Sequence, residues 1–411
     1  MDQISQTAIA LLRSALWGDA FSCSADTDWA AVTRELSAQA VLGVVAGSDI
    51  PPGVPEAVRA QWEGVALRQG AQFYRLLHAQ EEMLALLAAN DIHPVILKGV
   101  TAAAYYPSPE MRAMDDIDFL VPREQVERAC TLMLRNGYTL NCKKQANSKH
   151  IALLRDDVRF ELHRYFGEFD SAERMQQMDA MLQQGMRDAV LCPCAGSEVP
   201  MLPPLAHGLV LLKHIAGHVR DGLGLRHITD FMLYAHACLT DDFWHKAFRP
   251  AAQAQGLERF AKIVTRMCQL YLGLTEELSW CRDADREDCE RLMRFVLAQG
   301  NFGEKQAGLG SKVTLLLGAH SGVAGWMRRL QASGMEHWEA AGRHALLRPF
   351  AWVYGGCRYA RLALGRERAL AQLREEKAAC EQTDELIACL GLTEGKQKAL
   401  LRNGRFVERK R

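Results

Sequence analysis

The sequence predicts an α+β fold in which a small mixed sheet lies between helical segments. Short β-branched or alternating apolar segments occur in the middle of the chain, whereas apolar residues at helical spacing dominate both ends. The length of 411 residues exceeds what one ordinary core accommodates and points to two or three domains. We therefore expect an N-terminal helical element at 1–66, an α/β domain at 67–200 and a large all-helical region at 201–411.

Helical periodicity defines the N-terminal part of the chain. Ile9 and Leu12 recur at the helical period, and the Gly- and Pro-rich cluster at 47–53 marks a turn before the next helix. A further helix is predicted over 71–89, where it ends at Asn90.

Strand signals follow this helix. The second predicted strand is closed by Pro122, which starts a helix that ends at Asn136 and Gly137. Beyond about residue 205 the strand signal disappears and the apolar spacing is helical. The four predicted strands are 95–97, 117–121, 138–142 and 158–162.

The amino-acid composition argues against a long nucleic acid as partner and against a membrane span. Lys plus Arg total 49 and Asp plus Glu total 49, so the chain has no overall charge that would favour a long nucleic acid. The longest uncharged apolar run, 313–327, is shorter than a bilayer requires, so no membrane span is expected. Twelve scattered cysteines and an N-terminus without a signal peptide predict reduced thiols in a cytoplasmic protein. The basic tail, 396–411, predicts a frayed, solvated end.

Two carboxylates two residues apart are the most informative feature. Asp116 and Asp118 lie in a predicted strand, where the period of two places both on one face. Like charges that close repel unless a cation lies between them, and Mg²⁺ prefers such hard oxygen ligands. Glu161, on a later strand, supplies a third carboxylate, and His163 shares its face. These carboxylates predict a site for two metal ions; the alternative is a solvated strand end.

A phosphate-binding segment is predicted just upstream. Lys98 contributes a point charge, Gly99 lets the backbone approach a phosphate, and a helix capped by Thr101 begins there. Arg112, four residues before the acidic strand, is expected either to pair with Asp115 or to reach a triphosphate.

The predicted helices after residue 205 carry a second polar cluster. His214 and His218, at i and i+4, share a helix face as zinc ligands do, but Ile215 stands where a metalloprotease has its general base. Two other interpretations stay open. One histidine packs while the other bonds to Asp230, or His214 and Arg226 face the α/β domain across a cleft and contact the nucleotide or the acceptor.

These motifs together resemble a known family. The string LKG, about a dozen residues, R-x-x-x-D-I-D-F-L-V, a helix, Asn-Gly-Tyr and a strand ending Glu-Leu-His is similar to the uncharacterised nucleotidyltransferase family of the DNA polymerase β-like superfamily, over about 70–235. By this resemblance, Asp116, Asp118 and Glu161 match the carboxylates that bind Mg²⁺ and NTP. Lys98-Gly99 stands where the superfamily has a Gly-Ser pair.

The resemblance implies an enzyme that moves an NMP from an NTP to an acceptor hydroxyl and releases pyrophosphate. Mg²⁺ or Mn²⁺ is the expected metal, ATP the expected nucleotide, and a small molecule, peptide or protein the expected acceptor. Two alternatives compete with this prediction. In the first, the chain is a non-catalytic NTP-binding or interaction protein built on a degenerate nucleotidyltransferase scaffold. In the second, it binds or modifies RNA through the basic tail.

Overall fold

The computed structural model describes most of the chain. It covers residues 1–141, 149–167, 171–220, 222–306, 345–364, 381–392, 399–402 and 405–408, together with Met327, Leu330, Gln331, Gly334 and Trp338.

Two compact units divide the molecule. The first comprises Met1–Phe302 with Leu390–Arg411, and the second comprises Gly303–Cys389. Every residue predicted for the site belongs to the first unit. The three-part division at 66/67 and 200/201 stays a prediction, although one helix, Glu56–Ala88, passes through 66/67 without a break.

Capping residues explain where the first helices begin and end. Asp2 accepts a hydrogen bond from the backbone N–H of Ser5 at the start of the first helix, and Gly18, in the left-handed conformation, ends it. Asp28 caps the second helix in the same way through Ala31. The helices before the sheet are α1 (Gln3–Trp17), α2 (Trp29–Ala38), α3 (Leu42–Ala46) and α4 (Glu56–Ala88).

A seven-stranded mixed sheet forms the centre of the first unit, and the predicted fold class is confirmed. The strands are β1 (Val95–Ile96), β2 (Asp116–Leu120), β3 (Thr139–Leu140), β4 (His150–Arg155), β5 (Val158–His163), β6 (Val190–Cys194) and β7 (Ser197–Met201). Their order is β3-β4-β5-β2-β1-β7-β6. Strands β2 and β5 run parallel, and so do β1 and β7, whereas the other neighbouring strands are antiparallel.

Helices surround the sheet and continue beyond it. Apolar side chains of α4 pack with those of the sheet and of the helix after β2 in one buried core that includes Phe73, Phe119, Met133 and Phe160. The helices from the sheet onward are α5 (Val100–Ala103), α6 (Val126–Arg135), α7 (Ala172–Arg187), α8 (Pro204–His218), α9 (Leu225–Cys238), α10 (Asp241–Phe243), α11 (Arg249–Ala254), α12 (Glu258–Tyr271) and α13 (Arg286–Gln299).

Three strands of the seven-stranded sheet, β4, β6 and β7, were not predicted from the sequence, and tight turns explain why they form. Strands β4 and β5 are joined at Asp156 and Asp157, which both have positive φ, as a two-residue hairpin turn requires. Strands β6 and β7 are joined in the same way at Ala195 and Gly196. Pro193 is compatible with β6 because that strand lies at the edge of the sheet.

Two local expectations were wrong. Helix α5 begins at Val100 with Gly99 as its N-cap, so Thr101 lies inside the helix and does not cap it. The predicted frayed tail contains an antiparallel hairpin of β8 (Ala399–Arg402) and β9 (Arg405–Glu408), so the described part of the C-terminal region is not helical throughout.

The second unit contains a 3₁₀ segment, Ala345–Phe350, that leads directly into the helix Ala351–Leu364. The rings of Trp338 and Tyr354 stack there, with their centroids 5.4 Å apart. Most of the apolar run at 313–327 lies outside the described residues. Among the helices that are described, none combines the length and apolarity needed to cross a membrane.

Candidate active site

Parallel pairing of β2 with β5 brings the three predicted carboxylates together. Asp118 lies opposite Glu161 in the register, and Asp116 lies on the same face two residues earlier. A carboxylate oxygen from each of the three residues lies within 4.8 Å of the others. The sequence therefore identified a real cluster of acidic groups, which the fold collects from two neighbouring strands.

The ammonium group of Lys98 lies between two of these carboxylates. It forms an ion pair with Asp118, and its Nζ is 3.6 Å from Oδ1 of Asp116. Burial would lower the pKa of Lys98, but the two aspartates outweigh burial and raise it. Burial would also raise the pKa of Asp118, yet Lys98 holds it well below its usual value. The position between the aspartates thus already holds a positive charge.

Two histidines complete the acidic site. Nε2 of His163 is 2.8 Å from Oδ1 of Asp118 and 3.8 Å from Oε2 of Glu161. Nδ1 of His150 lies 3.4 Å from the same Glu161 oxygen. Burial and then the nearby His163 lower the pKa of His150 to about 4. Burial, together with the charge of Asp118, raises the pKa of Glu161. His150 was not predicted as a site residue because β4, which places His150 opposite His163, was not predicted from the sequence.

The residue after Lys98 adopts a conformation that favours glycine. Gly99 has φ of 75°, in the left-handed region, and it joins β1 to α5. A Cβ at this position would lie 3.7 Å from the carbonyl oxygen of Asp116, which is an ordinary contact. The backbone conformation, and not a lack of space, therefore explains the glycine.

Arg112 has a partner that the sequence analysis did not consider. Its Nε and Nη2 lie 2.7 and 2.6 Å from the two carboxylate oxygens of Asp230 on α9, in a bidentate pair. The hydroxyl of Tyr106 donates to the same carboxylate at 2.8 Å. The expected pair with Asp115 is therefore replaced by one with Asp230. A phosphate contact by Arg112 stays a prediction, and it would require this buried pair to break.

The second predicted cluster is larger than expected. His214 and His218 on α8 meet His227 on α9, and a ring nitrogen from each lies within 4.8 Å of the others. Arg226 lies beside them, with its Nη2 3.0 Å from Nε2 of His227. Burial and then the charge of Lys98 lower the pKa of His214 well below its usual value, and they lower the pKa of His218 to about 3. The expected bond from a histidine of α8 to Asp230 is absent from the described contacts, where Asp230 binds Arg112 and Tyr106.

A mixed sheet with three carboxylates on two parallel strands, beside a lysine and a glycine turn, defines a nucleotidyltransferase-like protein. A model of the family described as "Uncharacterised nucleotidyltransferase" matches residues 25–273, more than half of the chain. The protein belongs to this family, which confirms the resemblance found from the sequence. No curated protein and no solved structure matches the chain. Membership indicates a transferase of nucleotidyl groups, a class that uses a divalent metal and an NTP.

Proposed function

We propose that this protein is a metal-dependent enzyme that transfers an NMP from an NTP, with ATP as the expected nucleotide, to an acceptor hydroxyl. The acceptor is a small molecule, a peptide or a protein, and pyrophosphate is released. The observation that carries the proposal is the convergence of Asp116, Asp118 and Glu161 around the ammonium of Lys98. Hard oxygen donors that already surround one positive charge suit Mg²⁺ or Mn²⁺.

Each residue of the site has a proposed role. Asp116, Asp118 and Glu161 would hold the metal, and Glu161 would also accept the proton of the attacking hydroxyl. Bound at these carboxylates, a divalent cation neutralises negative charge on the phosphates and on the departing pyrophosphate. His163 holds Asp118 through the 2.8 Å contact and so keeps its carboxylate oriented.

The phosphates of the nucleotide are proposed to lie between the β1–α5 turn and helices α8 and α9. Lys98 and the backbone of Gly99 would contact them from the sheet side. His214 and Arg226 would contact them from the helical side, because the charge of Lys98 already acts on both His214 and His218. The formal net charge of the chain is zero, which agrees with a small, highly charged substrate and not with a long nucleic acid.

The proposal is tested by measuring metal and nucleotide binding together. Mn²⁺ would be titrated into the full-length protein with and without a non-hydrolysable ATP analogue, and free Mn²⁺ would be followed by electron paramagnetic resonance. We expect the wild type to bind Mn²⁺, and the analogue to tighten that binding. The Asp116→Asn/Asp118→Asn variant should lose at least about tenfold in Mn²⁺ affinity, or about 1.4 kcal/mol.

A matched control exists in the hairpin turn between β4 and β5. Asp157→Asn removes an exposed carboxylate at a position of positive φ that asparagine also accepts, so metal binding should not change. Transfer itself is assayed with α-labelled ATP and pools of hydroxyl-bearing small molecules and peptides. Metal-independent nucleotide binding, with no transfer of label, would favour the non-catalytic scaffold instead.

A further inference from the structure

A cluster of three histidine rings borders the acidic site, and only part of it has a role so far. His218 lies 4.4 Å from His214 and stacks on His227 at 4.6 Å, measured between ring centroids. Phe302 packs edge-on against His218 and His227, at 5.1 and 5.2 Å. We refer to His214, His218 and His227 as the histidine cluster.

Hydrogen bonding at His227 argues against a metal in this cluster. Its Nδ1 lies 3.3 Å from the backbone nitrogen of Gly224, and its Nε2 lies 3.0 Å from Nη2 of Arg226. Both neighbours are donors, whereas a neutral imidazole has one lone pair and one N–H. In either tautomer the lone pair accepts from one of these two donors, so His227 offers no free lone pair to a metal ion. The remaining ring N–H has no acceptor, and an oxyanion would supply one.

His218 has a ring nitrogen without a hydrogen-bond partner. Its Nδ1 is buried and has no such partner among the described residues. A buried polar group without a partner costs about 1–3 kcal/mol, so a ligand that pairs with it gains by satisfying it. In the tautomer that carries its proton on Nδ1, His218 donates, and an anion is the ligand that accepts.

The charges around the cluster favour an anion as well. The charged groups that act on its rings come from the turn before α5, the residue before β4, the segment before β2, strand β2 and α9. Four are cations and one is an anion: Lys98, Lys149, Arg112, Arg226 and Asp118. Burial and these cations lower the pKa of all three histidines, so the rings are neutral at pH 7.

We infer that the histidine cluster and Arg226 form a binding subsite for a polyphosphate, which is the triphosphate tail of the nucleotide. This inference rests on the proposed function, because it assigns the phosphates of the same substrate. Negative charge on the ligand offsets the cations that keep the rings neutral, so binding draws protons from solvent onto the imidazoles. No covalent bond forms or breaks; each neutral ring that binds a proton becomes an imidazolium.

The test measures proton-linked binding of a ligand that has no nucleoside. Tripolyphosphate would be titrated calorimetrically into the full-length protein in EDTA, at pH 6.5 and 8.0, in two buffers of different ionisation enthalpy. We expect the wild type to bind more tightly at pH 6.5 and to take up more protons than His218→Gln. If the wild type takes up one proton more than His218→Gln, its affinity for tripolyphosphate should change about 30-fold more than that of the variant between these two pH values. The ionisation of the ligand itself cancels in the comparison.

Three variants make the result specific. His214→Gln tests the same subsite should His218→Gln fail to fold, and Arg226→Met should weaken binding at both pH values. His78→Gln removes an exposed histidine of α4 and should bind as the wild type does. Wild-type protein that does not bind tripolyphosphate would overturn the inference. Variants of the cluster that bind like the wild type would overturn it too, as would saturable Zn²⁺ binding that His218→Gln abolishes.

The outcome is separable from that of the proposed function. Asp116→Asn/Asp118→Asn should lose metal binding but keep proton-linked binding of tripolyphosphate in EDTA. Wild-type protein that transfers the label but shows no proton-linked binding of tripolyphosphate would refute the subsite alone. Proton-linked binding in a protein that transfers no label would refute the enzyme alone.

Discussion

The buried pair of Arg112 and Asp230 should be one of the most sensitive points in the fold. Both side chains are almost completely buried, at 1% and 2% exposure, and two hydrogen bonds join them. Burial opposes both charges, but their mutual attraction raises the pKa of Arg112 and lowers that of Asp230. The pair connects the segment before β2 with α9, and so fixes the acidic strand relative to the helix that carries Arg226 and His227.

Removing one partner leaves the other charge buried and uncompensated. Asp230→Asn and Arg112→Met should therefore each lower the free energy of unfolding by about 3–5 kcal/mol. The double variant Arg112→Met/Asp230→Leu buries no charge, so its main penalty is the hydroxyl of Tyr106, which loses its acceptor. That penalty is about 1–3 kcal/mol. The double variant should thus be more stable than either single variant.

Urea unfolding of the full-length protein, followed by far-UV circular dichroism, measures these differences. An exposed pair of similar geometry provides the control: Nη2 of Arg13 is 2.6 Å from Oδ2 of Asp19, with both side chains over a third exposed. Asp19→Asn should cost no more than about 1 kcal/mol. Additive losses in the Arg112/Asp230 double variant would refute our account of the pair.

Three further predictions concern helix α8, which carries His214 and His218, and the turn at the site. Burial lowers the pKa of His207 to about 4, below its unfolded value, so the unfolded state binds the proton first. His207 should contribute about 1.4 kcal/mol per pH unit to the loss of stability between about pH 6.5 and pH 4, and His207→Gln should reduce the slope by this amount in urea titrations at several pH values. Gly208→Ala would place its Cβ 2.2 Å from the ring of Tyr234 and should cost about 1–3 kcal/mol in thermal melts; an unchanged Tm would contradict this packing. Gly99→Ala should cost about 1–3 kcal/mol, because φ of 75° with ψ of −111° is a backbone conformation that residues with a Cβ rarely adopt; an unchanged Tm would contradict this account.

Local patterns were enough to find the carboxylates. The period of two in a strand placed Asp116 and Asp118 on one face, and alternation around Glu161 placed it on a strand. The helical spacing of His214 and His218 likewise identified one side of the histidine cluster. In each case the signal lies within a few residues, where backbone geometry determines which side chains are neighbours.

Contacts between distant segments could not be found in this way. Arg112 and Asp230 are 118 residues apart, and nothing in either local sequence specifies the other. His150 reaches Glu161 through a hairpin whose Asp156-Asp157 turn is a weaker signal than Asn-Gly or Asp-Gly. The position of Lys98 between the aspartates depends on antiparallel pairing of β1 with β2, which the sequence does not reveal.

The position of Lys98 links the two halves of the proposed site. Its ammonium compensates Asp116 and Asp118 and also helps to keep the histidine cluster neutral. A divalent cation at the carboxylates would repel this ammonium, because two positive charges cannot share the same oxygens without a large Coulomb cost. Released from the aspartates, Lys98 would add positive charge near the proposed polyphosphate subsite. Metal and nucleotide should therefore strengthen each other's binding through one side chain, and Lys98→Met should weaken that coupling even where each ligand alone still binds.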